Sequence, residues 1–263
     1  MALSIPFGVM DFFRGVKQIN IAWYLAFTDI GSRYHRTALG PLWVVVAQGV
    51  WVLGLGYVQS QVFHVDFSKM TIYLAAGLPV WVFLTANVTD GAAALLRAKG
   101  MVTSFPLPLS LYPIGKMLEQ MILLFHQMII FVVACLLYRF VPNWRIIEFI
   151  PALLIVSVGM LGLNLGLGVL GARFRDVRPA LASLMTLGFV VTPVFWFTES
   201  VGRHSLIVKY NPFYYMLELM RAPLMGVTPP LEIWVTSSLL SAVFLVSGLW
   251  AFASTRKTVV SWL

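Results

Sequence analysis

Ionisable side chains inside apolar runs are the first place to look for chemistry, and this chain has few of them. His126 is the only titratable group well inside a long apolar stretch, and Asp90 and Glu119 stand at the edges of two others. An ionisable residue in such a setting is by default a functional candidate. A neutral imidazole donating to a carbonyl of its own helix is the plainer account of His126. A glycosyl or acyl transferase working from this setting would need clustered carboxylates, or a histidine beside a nucleophile, and the sequence has no such cluster. The single cysteine, Cys135, allows no intrachain disulfide and no cysteine-based metal site. No GxxxxGK[ST] phosphate loop occurs, so this chain is not expected to be an enzyme, to hydrolyse a nucleotide, or to bind a cofactor or metal of its own. The densest charge lies in GARFRDVRP (171–179), where Arg173, Arg175, Asp176 and Arg178 separate two apolar runs. That loop is either orienting charge or a docking surface for an acidic or ATP-driven partner, and spacing alone leaves both readings open.

The elements that position these groups follow from composition. Of 263 residues, 60% are hydrophobic and only 11% charged, where an ordinary soluble domain has about 25% charged residues. Six stretches carry no Asp, Glu, Lys or Arg: 37–65, 70–89, 120–138, 149–172, 179–198 and 233–255. A helix needs roughly 20 apolar residues to cross a hydrocarbon core. The expected fold is therefore an all-α polytopic membrane protein, a single transmembrane domain over 1–263. Its spans are expected near 40–63, 70–90, 117–138, 148–171, 180–198 and 233–254. The uncharged run after Gly100 is not counted as a span, because Pro106, Pro108 and Pro113 interrupt it. Gly159, Gly162, Gly166, Gly168 and Gly171 make the fourth span small-faced, as close helix packing in membranes requires, and Asn164 belongs to that packing.

The formal net charge of +8 would suggest nucleic acid in a soluble protein. Here the placement of the charges explains it. With a cytoplasmic N-terminus, twelve of the eighteen basic residues fall on inner segments and six on outer ones, while the acidic residues divide five and five. That bias puts both termini in the cytoplasm, as an even number of spans demands. Residues 1–18, with Asp11, Arg14 and Lys17, do not read as a cleavable leader, and 1–38 is expected to be a cytoplasmic N-terminus.

Two segments outside the spans stand out. In INIAWYLAFTDIGSRYHR (19–36), Ile19, Trp23, Phe27 and Ile30 recur at helical spacing. The stretch is too short to span and suits a helix in the membrane interface, its apolar side in lipid and Arg33 and Arg36 at the headgroups. The outer segment 199–232 is too apolar for a solvated loop. Pro212 can start a helix there, and Pro223 with Gly226 can stop it. Two short re-entrant helices over 204–226 are the expected result. Irregular backbone at that depth is tolerated where protein or a water-filled cavity surrounds it, which points to a translocation pathway.

Four segments in register carry a family resemblance: RYHRTALGPLW (33–43), ARFRDVRPALASL (172–184), TPVFW (192–196) and NPFYYMLELMRAPLMG (211–226). Together they resemble the membrane subunit of type 2 ABC exporters, in the branch that exports O-antigen, capsular and teichoic-acid polysaccharides. The resemblance implies a permease in the bacterial inner membrane, working as a homodimer with two copies of a separate ATPase that binds the ATP and Mg. It implies a lipid-linked polysaccharide as substrate, O-antigen first. The helix bearing Trp23, Phe27, Arg33 and Arg36 would lie against the ATPase. Arg97 and Lys99 in the 94–104 loop, with Arg173, Arg175, Asp176 and Arg178, would transmit ATP-driven closure. The family's channel is lined by aromatic side chains, which makes Trp43, Trp51 and Tyr57 the lining candidates on the first span and Tyr214 and Tyr215 those at the exit. The same residue types also form interfacial belts. An exporter of small lipids or drugs is the alternative transport reading, and it would lack a large aromatic-lined outer opening.

Overall fold

The computed structural model describes residues 4–35, 37–40, 42–198 and 206–263, which fold into helices with no strand among them. Helices α1 (Ser4–Lys17) and α2 (Ile19–Arg33) precede α3 (Leu42–Phe63) and α4 (Phe67–Gly91). Two short helices, α5 (Ala94–Arg97) and α6 (Lys99–Ser104), lead into α7 (Leu111–Leu137). A 3-10 turn at Trp144–Glu148 opens α8 (Phe149–Arg173), and α9 (Val177–Val191) follows. The outer pair α10 (Leu206–Lys209) and α11 (Pro212–Leu224) precedes α12 (Leu231–Thr255) and a closing 3-10 turn at Val259–Trp262.

Among the described residues, five helical runs are long and apolar enough to cross a membrane: α3, α4, α7, Trp144–Arg173 and α12. The fifth expected span, 180–198, differs from expectation. Its helix, α9, has 15 residues and so a length of about 22 Å, short of a hydrocarbon core of about 30 Å. Proline disfavours helical backbone in the residue before it. Pro193 accordingly leaves Thr192 extended at φ −87° and ψ 138°, and the chain continues as turns.

Helix α4 is the axis of the bundle, enclosed by α3, α7, α8, α9 and α11. Its residues from Met70 to Val88 supply much of the main core, with Phe83 and Leu84 almost fully buried. The closest helix pair is α8 with α12, and the glycine face expected on α8 makes it possible. A Cβ on Gly248 would meet the Gly162 carbonyl oxygen at 1.8 Å, and one on Gly162 would meet the Phe244 carbonyl at 2.3 Å. On the side of α8 that faces α4, Asn164 donates to Asn87 Oδ1 at 3.0 Å, while Asn87 donates to the Phe83 carbonyl at 2.8 Å.

Helix α1 was not anticipated from the sequence. It docks where α12 ends and α7 begins, so the first and last described helices share one end of the bundle, here termed the inner end. Asp11 explains the docking. Its carboxylate accepts from the Leu109 and Ser110 backbone N–H groups at 3.1 and 3.0 Å and from Arg256 Nε at 2.6 Å. An anion is thereby held at the positive start of α7 and neutralised by a cation from the end of α12. At the opposite, outer end, Ser68 donates to Asp66 through its hydroxyl and its backbone N–H, which holds the Asp66 carboxyl below the ordinary carboxylate range.

Helix α2 lies along the first turns of α7, burying Ala22 and Ala26 against Leu111, Ile114 and Leu118, and Ile30 is buried on the same helix. Ile30, expected on the lipid side, turns inward instead, because the small Ala22 and Ala26 allow that face to approach α7 closely. Trp23 is half-buried against the same cluster, and its ring stacks on the exposed Phe27 with centroids 5.9 Å apart. Arg33 bonds Glu119 Oε1 at 2.5 Å, and Lys116 pairs with the other oxygen of the same carboxylate. Glu119 is fully buried and Lys116 nearly so. Removing one member of a buried ion pair costs about 3–5 kcal/mol, because the remaining charge stays desolvated. Glu119→Ala should therefore lower the thermal transition of the purified protein by that order of free energy. Glu119→Ala combined with Lys116→Met should recover most of the loss. Equal transitions in wild type and the single variant would show that the triad does not anchor α2.

Candidate functional site

A groove of about 330 Å³ opens between α3, α4 and α9. Its walls are Gln48 and Trp51 from α3, Leu78, Trp81, Val82 and Thr85 from α4, and Met185, Thr186 and Phe189 from α9. Trp81 is almost buried and forms the floor, while Trp51 is 64% exposed and stands at the rim. The aromatic surface continues toward the outer end. Trp81 lies 6.0 Å from Phe189 and 6.1 Å from Phe213 on α11, and Phe189 lies 5.0 Å from Phe195. Beyond them Phe197 packs 4.7 Å from Tyr73 and 5.7 Å from Phe63. Polar atoms are sparse: the Thr186 hydroxyl is occupied by the Ala182 carbonyl, and the buried Thr85 hydroxyl has no protein partner. Flat apolar faces with isolated hydrogen-bonding groups suit a ligand that has C–H faces and hydroxyls.

The five aromatic lining candidates occupy different environments. Trp51 is part of the groove. Trp43 and Tyr57 are exposed on α3 away from it, and Tyr57 sits edge-on to Phe67 at 6.4 Å. Tyr214 is half-buried on α11. Tyr215 turns into the fold, its hydroxyl donating to the Lys209 carbonyl at 3.1 Å. Trp81 and Phe189 were not singled out in the sequence. They lie in runs so uniformly apolar that no periodicity separates a groove wall from a lipid-facing or packed position.

At the inner end, Asp90 closes α4 and accepts from two of the predicted coupling arginines, Arg97 at 3.1 Å and Arg178 at 3.3 Å. One carboxylate thus joins α5 and the start of α9 to the end of α4, and α4 and α9 are two walls of the groove. Arg173 instead lies over the rings of Phe174 and Trp262, at 5.3 and 5.2 Å from their centroids. Arg175, Asp176 and Lys99 are exposed. Asp176 precedes α9 without capping it through its side chain. Of the interface-helix candidates, Trp23, Phe27 and Arg33 have been placed above, and Arg36 lies outside the described residues. His126 Nδ1 donates to the Ile122 carbonyl at 2.8 Å, the plain role expected of it.

The limits of α11 follow the proline and glycine signals. Asn211 accepts from the Phe213 and Tyr214 backbone N–H groups at 3.0 and 3.3 Å, Pro212 occupies the first turn, and Gly226 closes the segment at φ +76°. The Asn211 amide also donates to Thr192 Oγ1 at 2.9 Å, joining α11 to the end of α9.

The chain matches the ABC-2 type transporter family over residues 21–225 and belongs to that family. It is the transmembrane subunit of an ABC transporter, a multi-pass membrane protein that works with an ABC ATPase subunit and is not itself an ATPase. Among curated proteins it is similar to the O-antigen export system permease protein RfbA of Myxococcus xanthus, with 23% identity over 195 residues, 73% of this chain and 74% of that one.

The Asp90 junction yields a prediction. Its side chains are 19%, 43% and 52% exposed for Asp90, Arg97 and Arg178, and exposed pairs contribute about 0–1 kcal/mol. Asp90→Asn should leave the thermal transition nearly unchanged yet lower the amount of substrate moved per ATP hydrolysed. The charge swap Asp90→Arg with Arg178→Asp should restore part of that coupling. Unchanged transport per ATP in Asp90→Asn would assign the junction a topological role only.

Proposed function

We propose that this chain is the permease of an exporter that moves a lipid-linked polysaccharide, O-antigen in the first instance, out of the cytoplasm across the bacterial inner membrane. Two copies would pair with each other and with two copies of a separate ATPase, which holds the ATP and Mg. Both termini would be cytoplasmic, and α9 with the turns at 192–197 would complete a sixth crossing. Support for this reading comes first from the groove, where Trp51 and Trp81 line the walls and the Trp81 ring is followed by Phe189 and Phe195. Sugar rings stack on such faces through their C–H surfaces. The printed name of the Myxococcus relative points to the same class of polymer. In this reading Trp43, Tyr57 and Tyr214 meet the polymer or the second copy rather than lipid, and Arg97, Lys99, Arg173, Arg175, Asp176 and Arg178 face the ATPase. The helix bearing Trp23, Phe27, Arg33 and Arg36 would rest on the membrane surface beside it.

The test is export measured with the cognate ATPase in proteoliposomes or whole cells. The wild-type chain should co-purify with its ATPase at equal stoichiometry, and a stable, transport-active protein without an ATPase would overturn the reading. Trp51→Ala truncates an exposed ring, so it should spare folding and ATPase binding. An aromatic contact contributes about 0.5–1.5 kcal/mol, so polymer export should fall by a few-fold to about tenfold. Capsular or teichoic-acid polymers exported in place of O-antigen would keep the mechanism and change the substrate. Export of small lipids with polymer excluded would favour the alternative transport class.

A further inference from the structure

The turns at 192–197 leave backbone carbonyls that no helix satisfies, and the groups that meet them converge on one side chain. Arg221 of α11 is 3% exposed. Its Nη1 donates to the Pro193 carbonyl at 2.6 Å, and its other nitrogens pair with Glu218. The guanidinium carbon lies 4.2 Å from the Tyr73 ring centroid. The Tyr73 hydroxyl in turn is shared between the Pro193 and Trp196 carbonyls, at 3.3 and 3.0 Å. The arginine reaches this position over Gly77, where a Cβ would come within 3.3 Å of its Cδ. Gly77 is ten residues into α4 from Phe67, about 15 Å from that helix's outer end. Arg221 is therefore a cation held deep beside the central helix, where burial of charge is costly unless it is paired and hydrogen-bonded.

Capping one orphan carbonyl would not require so much. A tyrosine hydroxyl alone already reaches Pro193. The arginine adds a second bond to the same carbonyl, a stacking contact on the residue that makes the first, and a bridge to a different helix. What the clamped turns carry is Phe195 and Phe197, the outermost rings of the aromatic path. We propose that Arg221, acting with Tyr73, is the positioning residue of the outer mouth of the groove: it fixes the 192–197 turns, and so the Phe195 and Phe197 rings, against α4 and α11. The functional meaning of that mouth rests on the export reading above, but the positioning itself does not.

A reporter cysteine separates the two. Cys135 is buried and is the chain's single cysteine, so Thr198→Cys in a Cys135→Ala background gives one labelling site just beyond the clamped turns. The complete complex in membranes would be labelled with an impermeant maleimide. Tyr73→Phe keeps the ring but removes the bonds to the Pro193 and Trp196 carbonyls, and Arg221→Lys keeps the charge but loses the planar fork. Both should raise the labelling rate at least fivefold while leaving ATPase stoichiometry unchanged, and Tyr73→Phe should also leave the thermal transition near wild type. Polymer export should fall in the same variants. Labelling within twofold of wild type in both variants would overturn the positioning role, whatever the protein transports. Faster labelling in a protein whose wild-type form exports no polymer would uphold the clamp and sink the export reading instead.

Discussion

A helix that stops inside a packed apolar bundle leaves buried carbonyls, and each must find a donor from the protein. That constraint shapes the outer half of this molecule. Pro193 ends α9 early, and the free carbonyls of the turns that follow are met by Tyr73 from α4 and Arg221 from α11. Asn211 ties Thr192 to the same outer helix. Helix α11 is therefore more than a cover for the bundle, because Arg221 on it and Asn211 at its start bond to the chain where α9 ends. Such a break turns the chain and sets aromatic rings at the end of a groove, which an unbroken helix does not do.

Two charge clusters at the inner end of the bundle differ in burial, and magnitude separates their roles. At the interface helix, Glu119 is enclosed with Lys116 and held by Arg33. Opening such a pair leaves a desolvated charge, so α2 and the start of α7 move as one body. At Asp90 the ion pairs are partly exposed and individually weak. They can be exchanged for water or for a partner's side chains at little cost. A weak junction leaves α5, α4 and α9 freer to shift against one another than α2 and the start of α7 are.

How much was legible depended on whether a residue's role is set by its neighbours in sequence. The run of glycines in α8 is periodic, so its part in close packing could be read directly, and Gly162 against Gly248 follows. Asn211, Pro212 and Gly226 announce the limits of α11 by local chemistry, and the helix obeys them. Ile30 could be placed on an apolar stripe, but the stripe could not say which side met protein and which met lipid. Helix α1 was missed because its docking depends on Asp11 meeting the start of α7, about a hundred residues away. The aromatic candidates divide in the same way. Trp51 sits in the groove, Tyr215 turns into the fold, and nothing in the flanking residues distinguishes them.

The sequence by itself determined that this is a helical membrane protein, which of its segments are apolar and which carry positive charge, and which family it resembles. Those features rest on composition, run length and local turn signals, all of which act over a few residues. Tertiary structure alone decided that Trp81 and Phe189 wall a groove, that Asp90 gathers Arg97 and Arg178, and that Arg221 serves the carbonyl of Pro193. Each of those depends on side chains brought together from separate helices, and in a uniformly apolar chain the hydrophobic pattern carries no record of which helix faces which.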